Sequence, residues 1–345
     1  MNRLLLTLIQ TLLLSLLLMG ACSGPEEQGQ SGKVFLAEGG YPNLTERDGK
    51  YYFLYQSPTV DSIILHVADS PEDIPSSEPH YIWSPKGISM RNIYSPELFR
   101  IDGKWYIYFE ADNGANTDNH QLYVLENSSA SPTEGEWNLH GPIITSEEWN
   151  FGLHPTTFVL DGRQYLLWSG WPKRRTETET QCIYIAEMAD PYTLKSERVM
   201  ISQPEYEWER QWINPDGSRT AYPIYVNENP EVVISPDGKR VAVAYSASGI
   251  WTEYHTLGML HASTDSDLLD PSSWIKEPEP VFQAPEGSGI YGTSNVSILK
   301  NPDERGKYYF LYEVKRKDEN GDMHKGIRWK EISWEADSLP TLGMP

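Results

Sequence analysis

The stretch YPNLTERDGKYYFLYQS, Tyr41 to Ser57, reads as a single β-hairpin. Its Asp48-Gly49 pair supplies the positive φ angles that a two-residue turn requires. The run after the turn, KYYFLY, is apolar or aromatic on both faces of a strand, so both faces need cover. The same hairpin recurs four times. SPELFRIDGKWYIYFEAD begins at Ser95, HPTTFVLDGRQYLLWSG at His154, NPEVVISPDGKRVAVAYSAS at Asn229, and a looser copy, SNVSILKNPDERGKYYFLYEV, at Ser294. In the first three copies a Pro stands seven residues before the turn Gly (Pro42 to Gly49, Pro96 to Gly103, Pro155 to Gly162), and in the fourth, Pro230 to Gly238, eight.

A third strand-like run follows each hairpin: SIILHVAD, HQLYVLEN, QCIYIAEM, LGMLHAST and GIRWKEIS. The turn glycines 49, 103, 162, 238 and 306 are spaced too widely for a solenoid repeat. Repeated antiparallel units of three or four strands are the pattern of propeller blades. The expected fold is all-β, a five-bladed β-propeller over residues 33–345.

The first residues, MNRLLLTLIQTLLLSLLLMGAC, combine an early Arg, an apolar run and small residues before Cys22. An apolar run of this length could also span a bilayer. The small residues and the polar stretch that follows favour a secretory signal over residues 1–21. Cys22 after Gly-Ala resembles a bacterial lipoprotein lipidation site, with residues 22–32 as a tether. The expected address is the outer membrane, at the cell surface or its periplasmic face, with membrane contact only through the lipid. Cys182 is then a lone thiol in a strand-like run, expected to be buried and inert.

The chain carries 49 acidic against 28 basic side chains. So negative a surface repels phosphate backbones, and nucleic acid is excluded as a partner. Twelve Trp and 21 Tyr suit sugar-binding clefts as well as strands. No phosphate-cradling Gly-rich loop, serine elbow or paired Cys/His zinc pattern is present. His255 and His261 flank TLGML without the spacing of a zinc helix and read as strand or loop residues. No cofactor is expected and no metal ligand is assigned. A monomer is expected.

In a propeller the first strand of each blade lies beside the central channel. Its entrance residues therefore converge: Tyr41, then Ser95 and Glu97, His154, Glu228 and Asn229, and Ser294 and Asn295. A pocket built from five distant segments is the usual form of a small-ligand site.

At these positions the chain resembles glycoside hydrolase family 43, five-bladed propellers acting on arabinofuranosides and xylosides. NIYSPELFRIDGKWYIYFEAD resembles its second-blade signature and FGLHPTTFVLDGRQYLLWSGWP its third. ISQPEYEWE, VNENPEVV, YSASGIWTEYHTLGML, DLLDPSSWIKEPEPVF and IRWKEISWEADSLPTLGMP continue the likeness from about Phe35 to Pro345. The resemblance implies inverting hydrolysis by two carboxyl groups roughly 6.5–9.5 Å apart. Glu228 matches the general acid. Tyr41 stands where the family has its base Asp, and His154 where it has a modulating Asp. Asn295 falls near a position that often holds a His associated with a metal or water. Glu97, Trp171, Trp251 and Arg328 lie in matching segments and are candidate sugar-binding residues.

Two functions follow. One is a hydrolase acting on arabinofuranoside- or xyloside-containing plant-type oligosaccharides or polysaccharide side chains, with Glu228 as acid and a non-standard base. His154, Glu38 or another group could supply that base, and Tyr41 as a nucleophile would make the enzyme retaining. The other is a degenerate propeller that binds glycan at the cell surface without cleaving it.

Overall fold

A computed structural model describes residues 32–173, 179–211, 224–250, 252–303, 306–334 and 338–345. The expected signal segment, Cys22 and Trp251 lie outside these residues. The described chain is all-β, with four short 3-10 turns as its helical elements.

Strand β1 (Lys33–Leu36) precedes five successive antiparallel groups. The first is β2 (Asn43–Arg47), β3 (Lys50–Leu54), β4 (Ile63–Ala68) and β5 (His80–Trp83). The second is β6 (Arg91–Ile101), β7 (Lys104–Asp112), β8 (Gln121–Asn127) and β9 (Asn138–His140). The third is β10 (Leu153–Leu160), β11 (Arg163–Gly170) and β12 (Glu179–Asp190), edged by β13 (Thr193–Leu194) and β14 (Val199–Ser202). The fourth is β15 (Ile224–Ile234), β16 (Arg240–Ala247), β17 (Thr256–Ser263) and β18 (Ile275–Lys276). The fifth is β19 (Tyr291–Lys300), β20 (Lys307–Lys317) and β21 (Met323–Ser333), whose outer edge pairs with β1. A short parallel pairing of β12 with β15 joins the third and fourth groups into one nine-stranded sheet.

All five hairpins read from the sequence are present as β2–β3, β6–β7, β10–β11, β15–β16 and β19–β20. Asp48-Gly49, Asp102-Gly103 and Asp161-Gly162 have φ between 48° and 81°, the double positive angle of a tight hairpin turn. In the fourth copy Gly238 alone has positive φ, and its amide donates to the Ser235 carbonyl (2.9 Å). That longer loop accounts for the extra residue between Pro230 and Gly238.

The second strand of each hairpin is covered on both faces, as its composition requires. Along β7, Trp105, Ile107 and Phe109 pack with Leu54 and Leu65 of the first group. The intervening Tyr106 and Tyr108 pack with Leu166, Trp168 and Cys182 of the third. Five apolar clusters occupy the seams between successive groups, and one of them, with Leu44, Phe53, Tyr309 and Leu311, lies between the fifth and the first. Cys182 belongs to these seams: it is buried, and burial pushes its thiol up to about 12. It is a packing residue, as expected.

The first strands touch one another in the cyclic order β2, β6, β10, β15, β19 and back to β2. Polar side chains stitch them. Asn43 Oδ1 accepts from the Leu98 amide (3.0 Å), Glu231 Oε1 from the Ile298 amide (2.7 Å) and Ser297 Oγ from the Leu44 amide (3.0 Å). Buried strand amides without a ladder partner thereby find acceptors.

Candidate active site

One backbone feature repeats at the entrance of every first strand. Tyr41, Ser95, His154, Asn229 and Asn295 all have φ between 44° and 52°. Non-glycine residues rarely adopt this left-handed geometry. In four of the five the next residue is Pro. The pairing register shifts across the site in β6, β10, β15 and β19, so each is a bulge. A bulge leaves one residue unpaired and re-aims its side chain, a device common beside active sites. The spacing seen in the sequence therefore marks five re-aimed side chains.

The residue before each bulge pairs with a polar residue in the later part of the second strand: Tyr94 with Glu110, Leu153 with Ser169, Glu228 with Ser246 and Ser294 with Glu313. Gln56 fills the same place in the first group, its amide donating to the Gly40 carbonyl (2.9 Å). These polar residues also reach the next group. Glu110 Oε2 accepts from the His154 amide (3.1 Å), Ser169 Oγ from the Asn229 amide (2.9 Å) and Ser246 Oγ from the Asn295 amide (3.0 Å).

The bulges open onto a cavity of about 400 Å³. Tyr41, Tyr94, Glu110, His154, Trp171 and Glu228 line it, together with Gln56, His120 and Lys325. The Tyr41 ring stacks on His154 at 5.3 Å, and the Lys325 ammonium lies 5.4 Å from its centroid. Burial, then the charges of Glu228, Glu313 and Glu110, raise the Tyr41 phenol well above its ordinary value. It stays protonated at neutral pH and cannot serve there as a base. Gly40 packs closely beside it: a Cβ there would sit 2.5 Å from Glu313 Oε2 and displace that carboxyl.

Glu228 is buried against the cavity, and its Oε1 lies 3.8 Å from Nε2 of His255. His255 is fully enclosed, and its Nδ1 lies 2.8 Å from the Ser248 carbonyl. A carbonyl only accepts, so Nδ1 carries the hydrogen and Nε2 of the neutral ring presents a lone pair to Glu228. Burial and the nearby Lys315 ammonium hold the imidazole well below its ordinary pKa. The ring is therefore neutral, and the arrangement suits a protonated Glu228 carboxyl. His255 lies in the loop directly before β17, within the strand-or-loop reading, and there it neighbours Glu228. His261 stays on β17, 3.3 Å from Glu277.

His154 is buried with Nε2 at 3.7 Å from Glu110 Oε1 and Nδ1 at 3.4 Å from Ser169 Oγ. Burial, helped by His120 and Lys325, pushes its pKa down to about 3. Such an imidazole is a weak base at pH 7. Glu38, also weighed as a base, is exposed and absent from the cavity lining.

Two further carboxyls were not singled out in the sequence. Glu110 and Glu313 are both fully buried. Glu313 has a cation, Lys325, at 3.3 Å and accepts from Asn295 Nδ2 at 3.0 Å. Burial raises the Glu110 carboxyl to about 8, against the opposing pull of the His154 amide and the Ser95 hydroxyl. The available signal was register: both stand seven residues after a turn Gly, where Gln56 and Ser169 stand in their own groups.

The remaining sequence candidates separate. Trp171 lines the cavity and stacks on Phe151 at 3.8 Å. Asn295 lies behind the cavity, between Ser246 and Glu313. Glu97 lies outside the cavity lining, among the stitching residues, where burial and the neighbouring Glu231 carboxyl raise its pKa well above the ordinary range. Arg328 sits on β21 opposite Tyr312 and Val34 and serves the fifth sheet. Among the described residues no group of three or more His, Cys, Asp or Glu is arranged to hold a metal ion.

A strand-built cavity with a buried Glu facing a neutral His defines a small-ligand site on an all-β scaffold. The profile of glycosyl hydrolases family 43 matches residues 73–340, and the chain belongs to that family. It is 34% identical over 304 residues to an extracellular exo-α-(1→5)-L-arabinofuranosidase of Streptomyces avermitilis, a match covering 86% of this chain and 60% of that one. The chain thus spans about 60% of the length of that relative. A Streptomyces chartreusis protein of the same name is 33% identical over 279 residues, covering 80% of this chain and 79% of the other. The solved α-L-arabinofuranosidase of Lactobacillus brevis superimposes with a TM-score of 0.76 at 30% identity, over 90% of this chain and 95% of that one.

Proposed function

We propose that this protein is a glycoside hydrolase that releases arabinofuranosyl residues from plant-type glycans, built on a five-bladed β-propeller. Five hairpins, five seam clusters and the cyclic order of the first strands support the blade number. The names of the relatives support the sugar.

The observation that carries the reaction is the approach of the neutral His255 to Glu228 at the cavity wall. A general acid must hold a proton until the glycosidic oxygen arrives. The bare Nε2 of His255 favours that proton on Glu228. Burial of the pair removes competing water. In this reading Glu228 protonates the leaving oxygen, while Tyr41, Tyr94 and Trp171 shape the walls around a furanose ring. A purified sample assayed on aryl glycosides and arabino-oligosaccharides should release arabinose from the non-reducing end. Tight glycan binding with no product from any substrate would instead make it a binding module.

A further inference from the structure

We propose that Glu110 is the general base of this site, its Oε1 taking the proton of the attacking water. The inference rests on the hydrolase reading and identifies the group that acts where Tyr41 leaves no carboxylate.

The two other fully enclosed glutamates of the described residues are compensated, whereas Glu97, with Oε2 also unpartnered, lies outside the cavity. Glu209, fully enclosed, accepts from Asn227 Nδ2, the Tyr245 hydroxyl and the amides of Glu205 and Tyr206, and pairs with Lys276 at 2.7 Å. Glu313 has Lys325 and Asn295. Among the described residues His154 alone comes within ion-pair distance of Glu110, and that ring is neutral. Its Oε2 accepts the His154 amide, but Oε1 is buried without a hydrogen-bond partner. An unmet buried acceptor destabilises the fold, more so when charged.

Stitching alone does not require a carboxylate here. At the equivalent places Ser169 and Ser246 make the same bond to the next bulge amide with a hydroxyl. The second oxygen of Glu110 is surplus to the fold, and Glu110 lines the same cavity as Glu228. The two carboxyls come from different groups, β7 and β15, on either side of His154.

The step balances with water alone. The water oxygen bonds to the anomeric carbon as the glycosidic bond breaks. The bonding pair leaves with the glycosidic oxygen, which takes the Glu228 proton. The water proton passes to Glu110 Oε1. The titratable groups that act on or border Glu110 are Tyr41, Tyr94, Glu97, His154 and Glu228, with His120, Asp118 and Lys325 in the same cavity lining. Glu110 itself is pushed up by burial first and by Glu228. A base in such surroundings gains strength, so activity should rise with pH beyond the ordinary carboxylate range.

The test compares Glu110→Gln and Glu110→Ser with the unaltered protein on a nitrophenyl α-L-arabinofuranoside. The Ser variant keeps the stitch seen at Ser169. Removing a general base costs about 10²–10⁴-fold in kcat. Both variants should lose activity in that range, retain arabinose affinity and regain turnover with azide, giving the inverted glycosyl azide. Their residual activity should lack the alkaline rise. Near-normal activity in either folded variant would overturn the assignment and leave Glu228 as acid untouched. Loss without azide rescue, in variants that still bind arabinose, would reduce Glu110 to a structural part. An inactive unaltered protein would defeat the hydrolase reading and this assignment together.

Discussion

Glu228 Oε1 lies 3.8 Å from Nε2 of His255, a ring whose other nitrogen faces the Ser248 carbonyl at 2.8 Å. The contact joins β15 to the segment before β17, and in the proposed reading the bare Nε2 favours the proton on Glu228. Replacing His255 with Phe removes the lone pair while keeping a ring. The expected result is a loss of about 10–100-fold in kcat on substrates with poor leaving groups, short of the ~10²–10⁴-fold of removing a general acid outright. Activated leaving groups need no proton and should be spared. Equal loss on both substrate types would contradict the role given to His255.

The family resemblance expects a base at Tyr41, yet its phenol is held protonated by burial and three carboxyls. Its expected contribution is shape, through the stack on His154. Tyr41→Phe should therefore keep kcat within about fivefold, far below the loss from removing a base. Tyr41→Ala should raise KM. A Phe variant as dead as Glu228→Gln would restore the phenol as a chemical participant.

The sequence made the hairpins, the turn chemistry and the convergence of Tyr41, His154 and Glu228 legible, because each rests on local rules. The Pro-to-Gly spacing marked the bulges without revealing their left-handed backbone. Glu110 and Glu313 escaped because the end of a buried aromatic strand reads as ordinary polar termination. Only the cross-strand register shows which way they face. His255 escaped because its relation to Glu228 spans two strands and a turn. Glu97 was legible as an entrance residue, but it lies two positions beyond the left-handed Ser95, where side chains stitch strands instead of lining the cavity.

Glu110 also bears on stability. Its folded pKa is raised from 4.5 to about 8, so between those values the folded protein holds a proton that the unfolded chain has released. Stability should therefore be highest near pH 5 and fall as pH rises toward 8, by a few kcal/mol at most from this group, at about 1.4 kcal/mol per pH unit of difference. Urea unfolding at the two pH values should show a smaller decline in Glu110→Gln. An unchanged decline would mean that Glu110 ionises normally.

The bulges give a conformational prediction. Asn229 has φ of 51° and directly follows Glu228. Asn tolerates the left-handed region, Gly more so, and Ala pays about 1–2 kcal/mol. Asn229→Ala should lower unfolding stability by about that amount, while Asn229→Gly should leave it nearly unchanged. Equal effects from Ala and Gly would show that the Asn side chain, not the backbone angle, matters.

The most direct measurement pairs turnover with binding in the unaltered protein and Glu228→Gln. Hydrolysis of arabino-oligosaccharide is followed by product release, and arabinose affinity by calorimetry. The account predicts turnover by the unaltered protein, a fall of about 10²–10⁴-fold in the variant, and affinity preserved within a few-fold. Glycan binding by both proteins with turnover by neither would contradict it.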